Sequence, residues 1–128
     1  MDHQTTPADY LVLSRGQWDK DASRDDIQAA IDRFYAWHDR LVAEGRMRAG
    51  QRLARECKLV SRQAITDGPF TEAREIVGGY WTILARSLDE AAAIAAENPC
   101  LAYGLAFEVR PIEPVRASAY ALTNETPS

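Results

Sequence analysis

The chain has 128 residues, a formal net charge of −4, 46% hydrophobic residues and 27% charged residues. That length fits one domain with a real core, and the acidic balance excludes a general nucleic-acid binder, which would carry a basic patch and an excess of Lys and Arg. The longest apolar run falls well short of the roughly 20 residues that span a bilayer, so no membrane association is expected.

Met1 to Ala8 is polar, with no basic segment leading into an apolar one, so it reads as a disordered leader (residues 1–8) and not as a signal peptide. A cytoplasmic location is the expectation. Asp9-Tyr10-Leu11-Val12-Leu13 is a short apolar run with the length and composition of a buried strand. Gly16 to Ala22 is a polar loop.

Ser23 then opens a helix, with Asp25 and Asp26 in the first turn, where the helix dipole favours negative charge. Ile27, Ala30, Ile31, Phe34, Trp37, Leu41 and Val42 recur at the spacing of one helix face, and Gly45 supplies the stop. From Arg46 to Asp67 the pattern is extended. Met47, Ala49 and Leu53 suggest one strand, and Leu59-Val60 with Ala64-Ile65 suggest a second strand or a hairpin. Arg46, Arg48, Arg52, Arg55, Lys58 and Arg62 make this stretch locally basic, as a solvated edge or loop would be.

Tyr80-Trp81-Thr82-Ile83-Leu84 is the next strand, rich in aromatic and β-branched residues. Gly78-Gly79 before it marks a bulge or a close backbone approach. Ser87 with Glu90 makes a capping box for a second helix, which runs to about Glu97 before Asn98-Pro99. Leu105, Phe107 and Val109 alternate with Ala106, Glu108 and Arg110 in a last strand with one buried face. Residues 114–128 read as a C-terminal tail, in which Tyr120 and Leu122 either add a short strand or dock on a partner.

The order β-α-β-(β)-β-α-β predicts an α+β, ferredoxin-like antiparallel sheet with both helices on one face. Strand 80–84 carries bulk on both sides, so the uncovered side calls for a second layer. The economical cover is a second copy, and a homodimer is predicted.

Thr66-Asp67-Gly68-Pro69-Phe70-Thr71-Glu72, then Gly78-Gly79-Tyr80, Ser87-Leu88-Asp89-Glu90-Ala91 and Phe107-Glu108-Val109-Arg110-Pro111-Ile112 stand in the order of the DGPF-motif, YCII-related family. The resemblance covers about residues 9–113. It implies a ferredoxin-like protein that forms a dimeric α/β barrel. For function it implies little. Some relatives in the wider superfamily use a histidine and an aspartate in a cleft, one branch eliminates chloride from a chlorinated hydroquinone, and other DGPF proteins are linked to alternative sigma factors. The chain departs from the usual pattern in its leader, in Arg74 where lysine is common, and in the few apolar residues between Arg46 and Arg62.

His38 and Asp67 are the candidate catalytic pair. His38 shares the apolar face of the first helix with Ile27, Ile31, Phe34 and Leu41, so its ring is expected to point at the sheet. A buried ring needs a hydrogen-bond partner, and Asp67, placed at a strand end of the covered sheet, is of the right type. A carboxylate on one ring nitrogen would fix the tautomer and raise the basicity of the other, as in a general base. The alternatives stand beside this: a satisfied core histidine, and an aspartate that caps a turn. Trp37, Phe70, Tyr80 and Arg110 are the candidate substrate pocket. Their alternatives are core or dimer packing for the aromatic residues and an ion pair with Glu108 for Arg110.

Neither histidine has metal-ligand company, and no phosphate-cradling loop, nucleophile elbow or dinucleotide fingerprint is present, so no metal or cofactor is expected. Cys57 and Cys100 form no CxxC and read as two buried or half-buried thiols in a reducing compartment. Two functions remain: a small cofactor-free lyase or isomerase acting on a small organic compound, or a non-catalytic module that binds a small ligand or is linked to transcription.

Overall fold

The computed structural model describes residues 6–69 and 76–127. Strands β1 (Ala8–Arg15), β2 (Met47–Arg52), β5 (Val77–Ala85) and β6 (Ala106–Pro111) form one antiparallel sheet in the order β2-β5-β1-β6. Helices α1 (Arg24–Ala43) and α2 (Leu88–Ala95) pack on one face of it. This is the ferredoxin-like α+β plan. Strands β3 (Lys58–Val60) and β4 (Ile65–Asp67) pair only with each other, as a hairpin outside the main sheet.

The helix ends follow local chemistry. The Ser23 side chain accepts from the Asp26 N–H at 3.0 Å and the Ser87 side chain accepts from the Glu90 N–H at 3.0 Å, each satisfying a donor that the first turn leaves unpaired. Gly45 takes φ +76° past the end of α1, a conformation that favours glycine. The second helix stops at Ala95, short of Glu97. Asn98 caps a separate 3-10 helix, Pro99–Tyr103, because Pro99 has no N–H with which to continue the α ladder.

Strand alternation divides the sheet. Val12 lies opposite Trp81 on one side and Val109 on the other, and Ile83 lies opposite Met47. These residues face the helices and, with Trp37, Leu41, Ala91 and Ile94, make the core. Leu11, Leu13, Tyr80, Thr82 and Leu84 alternate onto the uncovered face and are half-buried. Arg15 and Arg110 both bond Glu108 on that same face.

The edge strand β2 and its neighbour β5 approach each other through glycine. A Cβ on Gly50 would lie 1.8 Å from the Tyr80 carbonyl oxygen, so any side chain there collides with backbone. Here the β2–β5 register shifts, between Arg48 and Gln51. In the same region a Cβ on Gly79 would lie 2.9 Å from the Gln51 carbonyl oxygen, which accounts for the glycine pair as a close approach.

Three local expectations are corrected. Cys57, expected buried or half-buried, is an exposed thiol in the loop before β3. Asp67 does not stand on the covered sheet but ends the outlying hairpin. The segment 113–127 adds no strand, and Tyr120 and Leu122 are exposed. Among the described residues no helix is long and apolar enough to cross a membrane.

Candidate functional site

One end of the interface between α1 and the sheet is not filled. A cavity of about 590 Å³ opens there, walled by Ile31, Phe34, Tyr35 and His38 from α1 and by Ser14, Gly79, Trp81 and Phe107 from the sheet. Trp18, Asn98, Cys100 and Leu105 close its side, and Gly50, Gln51 and Arg52 of β2 lie at its edge. The volume exists because the sheet runs out of bulk. On β1 and β5 the residues that face the helices toward this end are Ser14 and Gly79, opposite one another, where those strands further along carry Val12, Trp81 and Ile83, while β6 keeps Phe107 opposite Ser14. A volume of that size suits a small organic molecule.

The walls are aromatic. Phe34 packs against Trp81 with ring centroids 5.2 Å apart, Trp81 against Phe107 at 5.6 Å, and the His38 ring meets Phe34 at 5.5 Å and Trp81 edge-on at 6.5 Å. The His38 side chain is 12% exposed. Its Nδ1 lies 3.0 Å from Oδ1 of Asp39, the next residue of α1, whose carboxylate is largely in solvent. With the Nδ1 proton given to that carboxylate, Nε2 keeps its lone pair and can accept a proton. Helical neighbours do not share a face, so this pair forms at the rim of the helix, where His38 turns inward and Asp39 outward.

Polar atoms are few in these walls. The Asn98 side chain, 3% exposed, accepts the Cys100 N–H at 2.9 Å through Oδ1. Its Nδ2 is buried and has no partner among the described residues, and the same holds for Nε1 of Trp81. The Cys100 thiol lies 3.9 Å from the Ala30 carbonyl oxygen, and burial raises its pKa, so it stays a neutral thiol. No group of three or more metal-ligating side chains occurs among the described residues.

The candidate residues separate. His38 lines the cavity; Tyr80 borders it through its place in β5 between Gly79 and Trp81, but its position alternates onto the uncovered face of the sheet. Asp67 does neither: it is 76% exposed on the hairpin and pairs with Lys58, so the partner of His38 is Asp39 instead. Trp37 is buried in the core and its Nε1 donates to Glu97 at 3.3 Å. Arg110 lies on the opposite face of the sheet, bonded to Glu108 at 2.7 Å. Phe70 lies outside the described residues. Asp39, Asn98 and Trp18 were not singled out from sequence. Asp39 sits off the apolar stripe, Asn98 reads as a helix stop, and Trp18 stands alone in a polar loop. The one available signal was the serine and glycines interrupting otherwise bulky strand faces.

A four-stranded antiparallel sheet in this order, with two helices on one face and a cavity between helix and sheet, defines an α+β domain of ferredoxin-like topology. The chain belongs to the YCII-related domain family, whose model matches residues 9–116. No curated protein matches it.

Proposed function

We propose that this YCII-related protein is a small cofactor-free enzyme in which His38 moves a proton on a small, flat organic compound held in the aromatic cavity. The observation that carries the reading is the His38 ring itself: it lines the cavity between Phe34 and Trp81, and Asp39 holds its Nδ1 at 3.0 Å. The chemistry is a proton abstraction and return of the lyase or isomerase type, with Nε2 as base and then acid. A positioned general base of this kind contributes about 10²–10⁴-fold to rate.

One observation favours a binding module. No carboxylate lines the cavity among the described residues, so His38 has no acidic partner inside it. Deuterium uptake separates the two readings. Compounds that raise the melting temperature are incubated with protein in D₂O, and NMR follows exchange at their acidic C–H positions. The enzyme reading expects uptake with wild type and its loss in His38→Gln. Binding with no uptake in either protein establishes the non-catalytic module.

We also propose that the working unit is a homodimer in the cytoplasm. Leu11, Leu13 and Leu84 on the uncovered face support a second copy packed sheet to sheet, and the exposed free thiol of Cys57 supports a reducing compartment. Sedimentation as a monomer at micromolar concentration contradicts the dimer.

A further inference from the structure

We infer that the compound taken by the cavity is an aromatic carboxylate, with its rings against Phe34 and Trp81 and its negative charge held by Arg52 at the mouth. This deepens the proposed function by naming the ligand class of the same cavity, and rests on it for turnover, though not for binding. The strand registers set one row of residues across the sheet: Phe107 opposite Ser14, Ser14 opposite Gly79, and Gly79 opposite Arg52. Directly opposed residues of an antiparallel pair point to the same face, so Arg52 stands on the helix-facing side, and it lines the cavity there. Its neighbour Gln51 points the other way and accepts the Tyr80 hydroxyl at 3.4 Å. Gly79 puts no side chain between Arg52 and Ser14 in this row. Arg52 Nε donates to the Gly78 carbonyl oxygen at 3.4 Å, which ties the guanidinium to the rim.

Charge selects the ligand. The chain carries a net charge of −4, yet the cavity lining holds the Arg52 cation and no carboxylate among the described residues. Arg48, on the same strand, pairs with Asp9 at 3.4 Å, whereas Arg52 makes no ion pair among the described residues. With Nε given to Gly78, the terminal N–H groups of Arg52 are left for a ligand, and a planar guanidinium receives a carboxylate through parallel hydrogen bonds. A single sign of charge beside low-polarity walls also draws the opposite ion to the cleft. Arg52 is exposed, so a carboxylate beside it keeps part of its hydration while the apolar rings take the interior.

Strand geometry sets the size and orientation of the ligand. Trp81 lies two residues along β5 from Gly79, a separation of about 7 Å at the rise of an extended strand. A carboxylate on the Arg52 row with ring carbons on the Trp81 row therefore calls for a fused bicyclic skeleton rather than a single ring. The His38 ring meets Phe34 and Trp81, so it faces the end of the ligand away from the carboxylate. Fixing the charge at the mouth thus presents the far end of the molecule to His38.

The test compares 1-tetralone, a flat bicyclic aryl ketone, with 1-tetralone-6-carboxylate, the same ketone with a carboxylate on the ring end remote from C2. Affinities are read by ¹⁵N–¹H NMR titration of wild type, Arg52→Gln and Arg48→Gln. Arg48 lies opposite Thr82 on the uncovered face, so its variant changes net charge equally without touching the cavity. The expected result is about tenfold tighter binding of the carboxylate by wild type and by Arg48→Gln, and a preference below about twofold in Arg52→Gln. Raising salt from about 0.02 to about 0.3 M weakens binding of the carboxylate and leaves the neutral ketone unchanged, because the pair at the mouth is open to solvent. Equal binding of both compounds by wild type, binding of neither, an undiminished preference in Arg52→Gln, or an equal loss in Arg48→Gln overturns the inference. Carboxylate preference without deuterium at C2 overturns the role of His38 and leaves the Arg52 contact standing, whereas deuterium without preference does the reverse.

Discussion

The helix-covered end of the sheet and the hairpin Lys58–Asp67 each carry a residue with the chemistry of a catalyst, and the fold treats the two oppositely. His38 is 12% exposed, ringed by Phe34 and Trp81, and bonded to one carboxylate. Asp67 is 76% exposed and bonded to a lysine in solvent. The hairpin around it leaves Leu59, Val60 and Ile65 exposed as well, and its strands pair only with each other. Burial beside a cavity is what gives a polar side chain a defined environment. An aspartate in bulk water is screened and free to move, whatever motif surrounds it.

That contrast is broken or sharpened by substitution. The largest expected effect is on proton transfer: His38→Gln reduces deuterium uptake into a bound ketone by about 10²–10⁴-fold, while Asp67→Asn changes it by less than about twofold, both read by NMR in D₂O. Next comes packing. Leu41→Ala, at the buried core behind the cavity, costs about 2–5 kcal/mol, whereas Val60→Ala in the hairpin stays within about 0.5 kcal/mol, both from urea unfolding. Gly50→Ala costs at least about 2 kcal/mol in the same measurement, because its Cβ meets the Tyr80 carbonyl and β2 must move to admit it.

A pH effect distinguishes the uncovered face of the sheet from both regions. Hydrogen bonds from Arg110 and then Arg15 hold the Glu108 carboxyl below its ordinary value near 4.5. A lowered folded value means that the contribution of Glu108 to stability is complete above the ordinary carboxylate range and is lost as pH falls through the folded value. Urea midpoints taken from roughly pH 6 down to 3 therefore fall less steeply in Glu108→Gln than in wild type. The smallest effect is at the hairpin: Lys58→Ala removes an exposed pair and changes stability by less than about 1 kcal/mol.

The legible part of the fold was the part governed by local rules. Ser23 and Ser87 announced helix starts because a side-chain oxygen satisfies a free N–H within three residues. Ile31, Phe34 and Leu41 announced which way α1 faces, and His38 followed from the same wheel. Phe107 and Val109 did the same for β6. What escaped depends on where elements sit relative to one another. Asp67 ends a strand, as its surroundings suggested, but nothing local says that the strand pairs outside the main sheet. Trp37 and Trp81 share the composition of a pocket wall, yet Trp37 is sealed in the core and Trp81 lines the cavity. Helix spacing separates inside from outside and cannot separate a packed interior from a hollow one. Asn98 was hidden for a further reason: its capping role is local, while its place beside the cavity becomes visible only once the fold is complete.

The central claim is that the imidazole of His38 exchanges protons with whatever organic molecule occupies the cavity. The direct measurement is the rate of deuterium entry at C2 of 1-tetralone, a flat aryl ketone with acidic protons at that carbon, in D₂O, for wild type and His38→Gln, each corrected for buffer. The account predicts a rate above buffer for wild type and a rate at the buffer level for the variant. Equal rates in the two proteins, or a wild-type rate no higher than buffer with the ketone bound, would contradict it.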